Sequence, residues 1–376
     1  MTPLGPAIDA ADPAIPPNTR IDLRIYSRAP VVSFRMVTVR GIHPTGTVCQ
    51  WDVRAVQERR GRVAGMTWHS GCRAEGKTIL VTGASAGIGY FVAEQLAAAG
   101  ATVALGCRDT AKADLAMRAI RARVPAARTM SVHVDLADPS SLPATVDALD
   151  VECLDAVVLN AGILLSGPER QVNARGHESM FATNHLGHFA LVAHLAPMLT
   201  AAPHSRVITV GSFAARSERL DVTDLQSERD YRPKRTYGRS KLAQMLFGFE
   251  LDRRLRASGA DTASIVAHPG GALDSLTPSR PPLFVHTRAQ RLRGLPAGVV
   301  LHGKHAGADS IVRATLDTEI TGGELWGPRV LGLRGRPHRE TPHAHMTDPD
   351  AAAELWAASA ELTGVDPVES PATSIR

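Results

Sequence analysis

Two short segments hold residues that could do chemistry. Tyr237, Gly238, Arg239, Ser240 and Lys241 place a phenol and an ammonium four positions apart. On a helix that spacing puts both on one face, one turn from each other. A free tyrosine has a pKa near 10 and is a poor base at neutral pH. A lysine ammonium about 5 Å away is worth roughly 3 kcal/mol at an effective dielectric near 20. That brings the phenol into range for general acid/base work. The same spacing taken alone also fits a plain amphipathic helix.

The second segment is Thr82-Gly83-Ala84-Ser85-Ala86-Gly87-Ile88-Gly89. It follows the apolar run Thr78-Ile79-Leu80-Val81 and precedes helical periodicity over 88–99, which Gly100 ends. A glycine loop between strand and helix builds a dinucleotide phosphate site. Gly83 permits the tight turn, Gly87 lets backbone approach pyrophosphate, and Gly89 lets the helix pack on the strand. Ser85 and Ile88 complete the candidate contacts. The helix N-terminus would offer free N–H groups and a positive dipole end. Further on stands Leu105-Gly106-Cys107-Arg108-Asp109. Gly106 occupies the place where an NAD site offers a carboxylate to the ribose. Arg108 could pair with a 2′-phosphate. The reading is NADP, with NAD left open. Asp109 is expected to cap the next helix.

In this order and separation the two segments resemble the short-chain dehydrogenase/reductase family. Asn184-His185-Leu186-Gly187-His188-Phe189, the long Ser212–Tyr237 interval and Tyr237-Gly238-Arg239-Ser240-Lys241-Leu242-Ala243 resemble its retinol dehydrogenase-like and protochlorophyllide reductase-like branch. Asp224-Leu225, Tyr231 and Leu355-Trp356 fit it too. The resemblance covers about residues 75–365. It implies an α/β fold: one Rossmann-type, doubly wound parallel sheet of seven strands, order 3-2-1-4-5-6-7, with helices on both faces. It implies hydride transfer between NADP(H) and a carbonyl or alcohol group of a small, apolar substrate. Tyr237 would be the acid/base and Lys241 would tune it and hold the nicotinamide ribose. Ser212 would position the substrate oxygen. Asn184 would support a kinked helix and a water leading to the lysine. Asp135-Leu136 would contact adenine, Asn160-Ala161-Gly162 would lie beside the cofactor, and Pro269-Gly270 would pass backbone by the nicotinamide. A homodimer or homotetramer is also implied. The branch does not fix the substrate.

Short apolar runs at Ala101–Leu105, Thr129–Val134, Leu154–Leu159, Arg206–Val210 and Ala263–Ala267 read as further strands, with helical stretches between most of them. Such alternation builds a parallel sheet covered on both faces. Residues 272–305 mix apolar and basic side chains without a period, which fits a mobile lid over an apolar substrate pocket or a surface loop. Pro349 to Thr363 reads as a surface helix with Leu355, Trp356 and Leu362 as its contacts. His185 and His188 are expected to pack or hydrogen-bond rather than to act as acids or ligands.

The first 74 residues read differently, with seven prolines before residue 45. Val32–Met36 and Cys49–Ala55 alternate like strands, so a small hairpin is expected within a poorly ordered extension. The organisation is then 1–74 extension, 75–366 NADP-binding domain and 367–376 tail. Residues 1–75 hold ten Arg, no Lys and six acids, or +4 of the net charge of +5. The nearly neutral remainder argues against a nucleic-acid-binding core. Four cysteines without a C-x-x-C, and no signal-peptide pattern, place reduced thiols in the cytoplasm. No apolar run approaches the ~20 residues of a membrane span. The fifteen histidines show no metal-ligand spacing. The rival reading is a non-catalytic dinucleotide-binding sensor or scaffold. A sensor has no need of Ser212, Tyr237 and Lys241 together.

Overall fold

A computed structural model describes residues 39–42, 48–51 and 74–368, apart from 286, 288 and 291–295. The chain divides into two compact units, Met1–Gly71 and Cys72–Arg376. In the first, β1 (Val39–Ile42) pairs antiparallel with β2 (Val48–Trp51). A hairpin is present, but its first strand lies after the run expected to form it. The strand expected at 32–36 lies outside the described residues, as does the end of the second, at 52–55.

The second unit alternates strand and helix. In chain order it runs β3 (Thr78–Thr82), α1 (Gly87–Ala98), β4 (Thr102–Cys107), α2 (Thr110–Arg123), β5 (Arg128–His133), α3 (Leu142–Asp147) and β6 (Ala156–Leu159). A helical turn (Ser179–Phe181) and a π-helical turn (Ala182–Leu186) lead into α4 (Gly187–Ala201). Then come β7 (Arg206–Val210), α5 (Pro233–Ser258), β8 (Ala263–Ala267), two-residue strands β9 (Ala272–Leu273) and β10 (His302–Gly303), and α6 (Lys304–Leu316). Strands β11 (Leu325–Val330) and β12 (Arg334–Glu340) and helix α7 (Pro349–Thr363) close the unit.

The main sheet has the order β12-β11-β8-β7-β6-β3-β4-β5. All pairs are parallel except β11 with β12. The expected seven-strand order is there, extended by one antiparallel edge strand. Central strands are covered on both faces, so they read as unbroken apolar runs rather than alternations. Ala156-Val157-Val158-Leu159 in β6 is buried throughout. The edge strand β12 is Arg-Gly-Arg-Pro-His-Arg-Glu, and only Pro337 is buried. Charge on an edge discourages pairing with another chain, and it also hides the strand from any apolar pattern.

Helix α5 lies close against the sheet. A Cβ at Gly248 would stand 2.9 Å from Thr209 Oγ1 and from Val266 Cγ2. Phe189 of α4, Phe247 of α5 and Trp356 of α7 meet as a ring cluster, with centroids 5.0 to 5.7 Å apart. This places α7 as a surface helix pinned by Leu355 and Trp356, both buried, with Leu362 packed at the margin.

Candidate active site

The expected site residues gather at the C-terminal edge of the sheet and on α5, where open α/β sheets bind ligands. The glycine loop joins β3 to α1. Gly87 has φ +60°, and a Cβ there would meet open space. The left-handed backbone requires the glycine, and the space leaves room for a phosphate. No side chain caps the N-terminus of α1. Its first-turn N–H groups therefore suit an anion. At Gly89 a Cβ would collide with the Gly83 carbonyl and the Asn160 amide. Asn160 Nδ2 donates to the Thr82 carbonyl (2.8 Å), and Thr82 Oγ1 accepts from the N–H groups of Asn160 and Ala161 (2.9 Å each). Loop, helix start and β6 end are thus one packed unit.

Around it, Ser85 hydrogen-bonds the buried Cys107 thiol. Ile88 is half-buried, and Gly162 is exposed. A Cβ at Gly106 would press on Val134 Cγ2 at 2.9 Å, so no carboxylate side chain fits there. Arg108 is exposed just past β4. Asp109 caps α2, accepting from Lys112 N at 3.0 Å. The Asp135 carboxylate accepts from Ala137 N (3.0 Å) and shapes the turn after β5. Leu136 faces the core under Gly187, not open space.

Tyr237 and Lys241 lie one turn apart on α5. Tyr237 is half-buried and Lys241 is 4% exposed. Lys241 Nζ donates to the Val210 carbonyl at 2.6 Å, and to Gln244 Oε1. Val210 ends β7, two residues before Ser212. Burial pushes the Lys241 ammonium down to about 7. At neutral pH its charge is therefore only partly held by the chain alone, less than the four-residue spacing suggests. Ser212 accepts from Ala214 N at 3.2 Å, which starts the turn that follows β7.

Asn184 sits inside the π-helical turn, so the expected kink is present. Its Oδ1 accepts from Ile163 N (2.8 Å), and its Nδ2 donates to the Ile163 carbonyl (3.1 Å) and Ser240 Oγ (2.9 Å). Ser240 Oγ donates to the Tyr237 carbonyl (2.8 Å). Asn184 thus reaches the tyrosine turn through Ser240, not the lysine amine. Another route leads to the lysine. Gln244 Nε2 lies 3.1 Å from His188 Nδ1, and His188 Nε2 lies 3.0 Å from Thr82 Oγ1. Burial holds both His185 and His188 down to about 3. They are neutral hydrogen-bonding residues, and His188 links α5 to the glycine loop.

The Pro269–Gly270 turn is held from both sides. His268 Nδ1 accepts from Gly270 N at 3.2 Å, so its Nε2 carries the proton and donates to Glu340 Oε1 at 3.1 Å. His302 Nε2 donates to the Pro269 carbonyl at 2.7 Å. The second oxygen of Glu340 takes Arg216 Nη2 at 2.6 Å. Arg216 belongs to the turn after Ser212. One carboxylate therefore ties the Ser212 turn to the Pro269–Gly270 turn. A Cβ at Gly327 would collide with the His268 ring and the Glu340 carboxylate, so the glycine makes room for the pair. Burial by itself would raise the Glu340 carboxyl, but the His268 hydrogen bond and the nearby charges hold it low. Thr82, Gln244, His302, Arg216 and Glu340 carry no spacing signal, because their partners are far away in sequence.

A cavity of about 310 Å³ opens beside Ser212. Met245, Leu325 and Met346 give it an apolar floor, while Arg216, Arg329 and Arg339 line other walls. It is less apolar than expected. The segment between β9 and β10 is not irregular throughout. Arg280 grips Glu94 of α1 through Nε (2.6 Å) and Nη2 (2.8 Å), and Phe284 packs between Tyr90 and Phe91. Among the described residues no group of three potential ligands could hold a metal, and no helix is long and apolar enough to cross a membrane.

Comparison with known proteins gives three results. The short chain dehydrogenase family model matches residues 77–223. Human retinol dehydrogenase 13 is 31% identical over 294 residues, which span 77% of this chain and 86% of that protein. Human retinol dehydrogenase 11 is 37% identical over 197 residues, 52% of this chain but only 61% of that protein, less than two thirds of its length. Among solved structures, an uncharacterized protein from Mycobacterium paratuberculosis is 33% identical with a TM-score of 0.64, covering 79% of this chain and 97% of that one. A short chain dehydrogenase from Burkholderia cenocepacia J2315 in complex with NADP is 22% identical with a TM-score of 0.51, covering 70% and 98%; that likeness is one of fold alone.

Proposed function

The chain belongs to the short-chain dehydrogenase/reductase family, in its retinol dehydrogenase-like branch, and on that premise we propose that it reduces a carbonyl or oxidises an alcohol using NADP(H). The observation that carries this is the buried Lys241 amine held on Val210 at 2.6 Å, one helical turn from Tyr237 and two residues before Ser212. A buried amine one turn from a half-buried phenol, beside a strand's C-terminal end, is an arrangement suited to acid/base work.

The residues present suit a dinucleotide. Gly87 with its open space and the uncapped start of α1 would take the pyrophosphate. Arg108 would favour a 2′-phosphate, with NAD as the alternative. When bound, the nicotinamide supplies the two-electron chemistry. The chain does the rest. Ser212 Oγ would hold the substrate oxygen by a hydrogen bond. Tyr237 Oη would give that oxygen a proton in reduction and take one in oxidation. Lys241 would favour the ionised phenol by its charge. Asn184 and Ser240 fix the turn that carries Tyr237, and the Glu340 carboxylate aligns the Ser212 and Pro269–Gly270 turns with each other.

The test is NADPH absorbance with a panel of aldehydes and ketones, with Tyr237→Phe as control. Consumption by the wild type, lost in the variant while NADPH still binds, is expected. Binding without turnover across both carbonyl and alcohol panels would replace the enzyme with a sensor. Two further parts of the proposal, a homodimer or homotetramer and a cytoplasmic setting, are checked by light scattering and by fractionation of the native cells.

A further inference from the structure

Acid/base work at Tyr237 depends on the charge of Lys241, and little in the chain holds that charge. An ammonium has three N–H bonds. One goes to the Val210 carbonyl and a second to Gln244 Oε1, three positions further along α5. Among the described residues, the titratable groups beside the amine are His188 of α4, kept neutral by burial, and Tyr237 one turn back on α5. Strands β6 and β7 bring the Leu159 and Val210 carbonyls and no carboxylate, and Arg206 stands at the far end of β7. Burial therefore acts on the amine without an anion to oppose it. Gln244 is fully buried, and its amide is fixed in one orientation. Its Nε2 donates to the Leu159 carbonyl at 3.0 Å. A turned amide would set oxygen against that carbonyl and N–H against the ammonium, leaving polar groups unpaired at both ends. Val210 leads into the Ser212 turn, and Leu159 leads into Asn160-Ala161-Gly162. The amide and the amine thus span two strand ends beneath the site. With two N–H bonds of the ammonium fixed, the third is left to reach a phenol or a ribose hydroxyl.

Resting on the oxidoreductase reading above, we infer that Gln244 is a positioning residue for the reaction: it holds Lys241 charged, fixes where its remaining N–H points, and so sets the pH range in which Tyr237 passes its proton. A hydrogen bond accepted from a charged donor is stronger than one from the neutral amine, so Gln244 Oε1 favours the ammonium. In reduction the phenol gives up its proton beside that ammonium. Turnover should therefore fall as pH rises through the titration of Lys241. Gln244 touches neither substrate nor cofactor in this scheme and acts through the amine alone.

The test reads the amine directly. The chain has five lysines, so the full, cofactor-free chain labelled with carbon-13 at the lysine Cε gives few signals, and Lys241→Met identifies the one that matters. Its titration is followed in the wild type, in Gln244→Met and in Gln244→Glu. Gln244→Met keeps the length and removes the acceptor, so the midpoint should drop by about one pH unit. Gln244→Glu supplies an anion, so the midpoint should rise by about one to two units. Shifts of opposite sign are not expected of a residue that only fills space. Either variant decides the matter if the other fails to fold: a midpoint that stays, or moves against its expected direction, overturns the inference. The pH profile of kcat with NADPH and an aldehyde is measured separately. Its alkaline limb should move down in Gln244→Met by the amount the midpoint moves, with the KM for the aldehyde within about threefold. A lower kcat with an unmoved limb would also overturn the inference. Shifted midpoints without turnover of any carbonyl or alcohol would keep the hold of Gln244 on Lys241 and remove the oxidoreductase reading. Turnover with unmoved midpoints would do the reverse.

Discussion

The glycine loop and the β11–β12 hairpin stand at the same edge of one sheet, yet they are assembled by different rules. The loop is local. Gly83, Gly87 and Gly89 fall within seven residues, and their contacts lie on Thr82, Asn160 and Ala161 of strands beside them. The hairpin works at a distance. Glu340 reaches Arg216 across 124 positions and His268 across 72. Arg280 reaches Glu94 across 186. A phosphate site needs free backbone N–H groups at one helix start, and a short motif can build that. A substrate site needs side chains from several strand ends, and only the fold brings those together.

The largest effect should come from breaking the local half. Lys241→Met is expected to lower turnover about 10³-fold, within the range acid/base residues contribute. The same change should stabilise the cofactor-free protein, raising Tm by about 2–4 °C, because burial penalises the ammonium by more than its hydrogen bonds to Val210 and Gln244 return. Calorimetry over pH sharpens this. The folded pKa, about 7, lies below the usual 10.5. Between those values the unfolded chain binds the proton that the folded chain has released. Wild-type stability relative to Lys241→Met should therefore rise as pH climbs through that window. A flat difference would mean the amine is not desolvated.

Breaking the distant half should cost less in chemistry and more in order. Glu94→Gln removes the charge that holds Arg280, and losing one partner of a buried pair destabilises by about 3 kcal/mol. Because Arg280 anchors the segment between β9 and β10, the loss should show as faster proteolytic cleavage within it. Unchanged cleavage would deny the anchor. A smaller effect is expected at Gly327→Ala. The added methyl would push His268 from Glu340 and shift the Pro269–Gly270 turn. Misplacement of that size lowers kcat by about tenfold to thirtyfold, while NADPH affinity should stay within about threefold. If affinity fell as far as kcat, the damage would be to folding rather than alignment.

What could be read from the sequence follows the same division. The runs at Arg206–Val210 and Ala263–Ala267 match β7 and β8 residue for residue, since a strand buried on both faces is nearly continuously apolar. The helix Pro349–Thr363 and its Trp356 anchor were legible from the apolar contacts Leu355, Trp356 and Leu362 along it. Strand β12 was not, because its edge position asks for charge instead of a pattern. Tyr237, Lys241 and Ser212 were legible from spacing and strand ends. Lys241's actual partners, Val210 and Gln244, were not, and neither was Asn184's attachment to Ser240. Those contacts depend on where α5 crosses β7 and on the π-helical turn, neither of which leaves a local mark.

The mildest change joins the two halves at the cofactor. Arg108 is exposed past β4, while Gly106 excludes a carboxylate by its contact with Val134. Local geometry thus excludes the NAD-type acid, and Arg108 is the cation we propose for a 2′-phosphate. One exposed guanidinium on a dianion gives an affinity of modest size, so Arg108→Ala should raise the Kd for NADPH about fivefold to tenfold and leave that for NADH within about twofold. Fluorescence titration of both cofactors measures this directly. Equal losses would show that Arg108 supports the loop instead of reading the phosphate. Cofactor choice would then lie with groups as far apart in sequence as those on the hairpin.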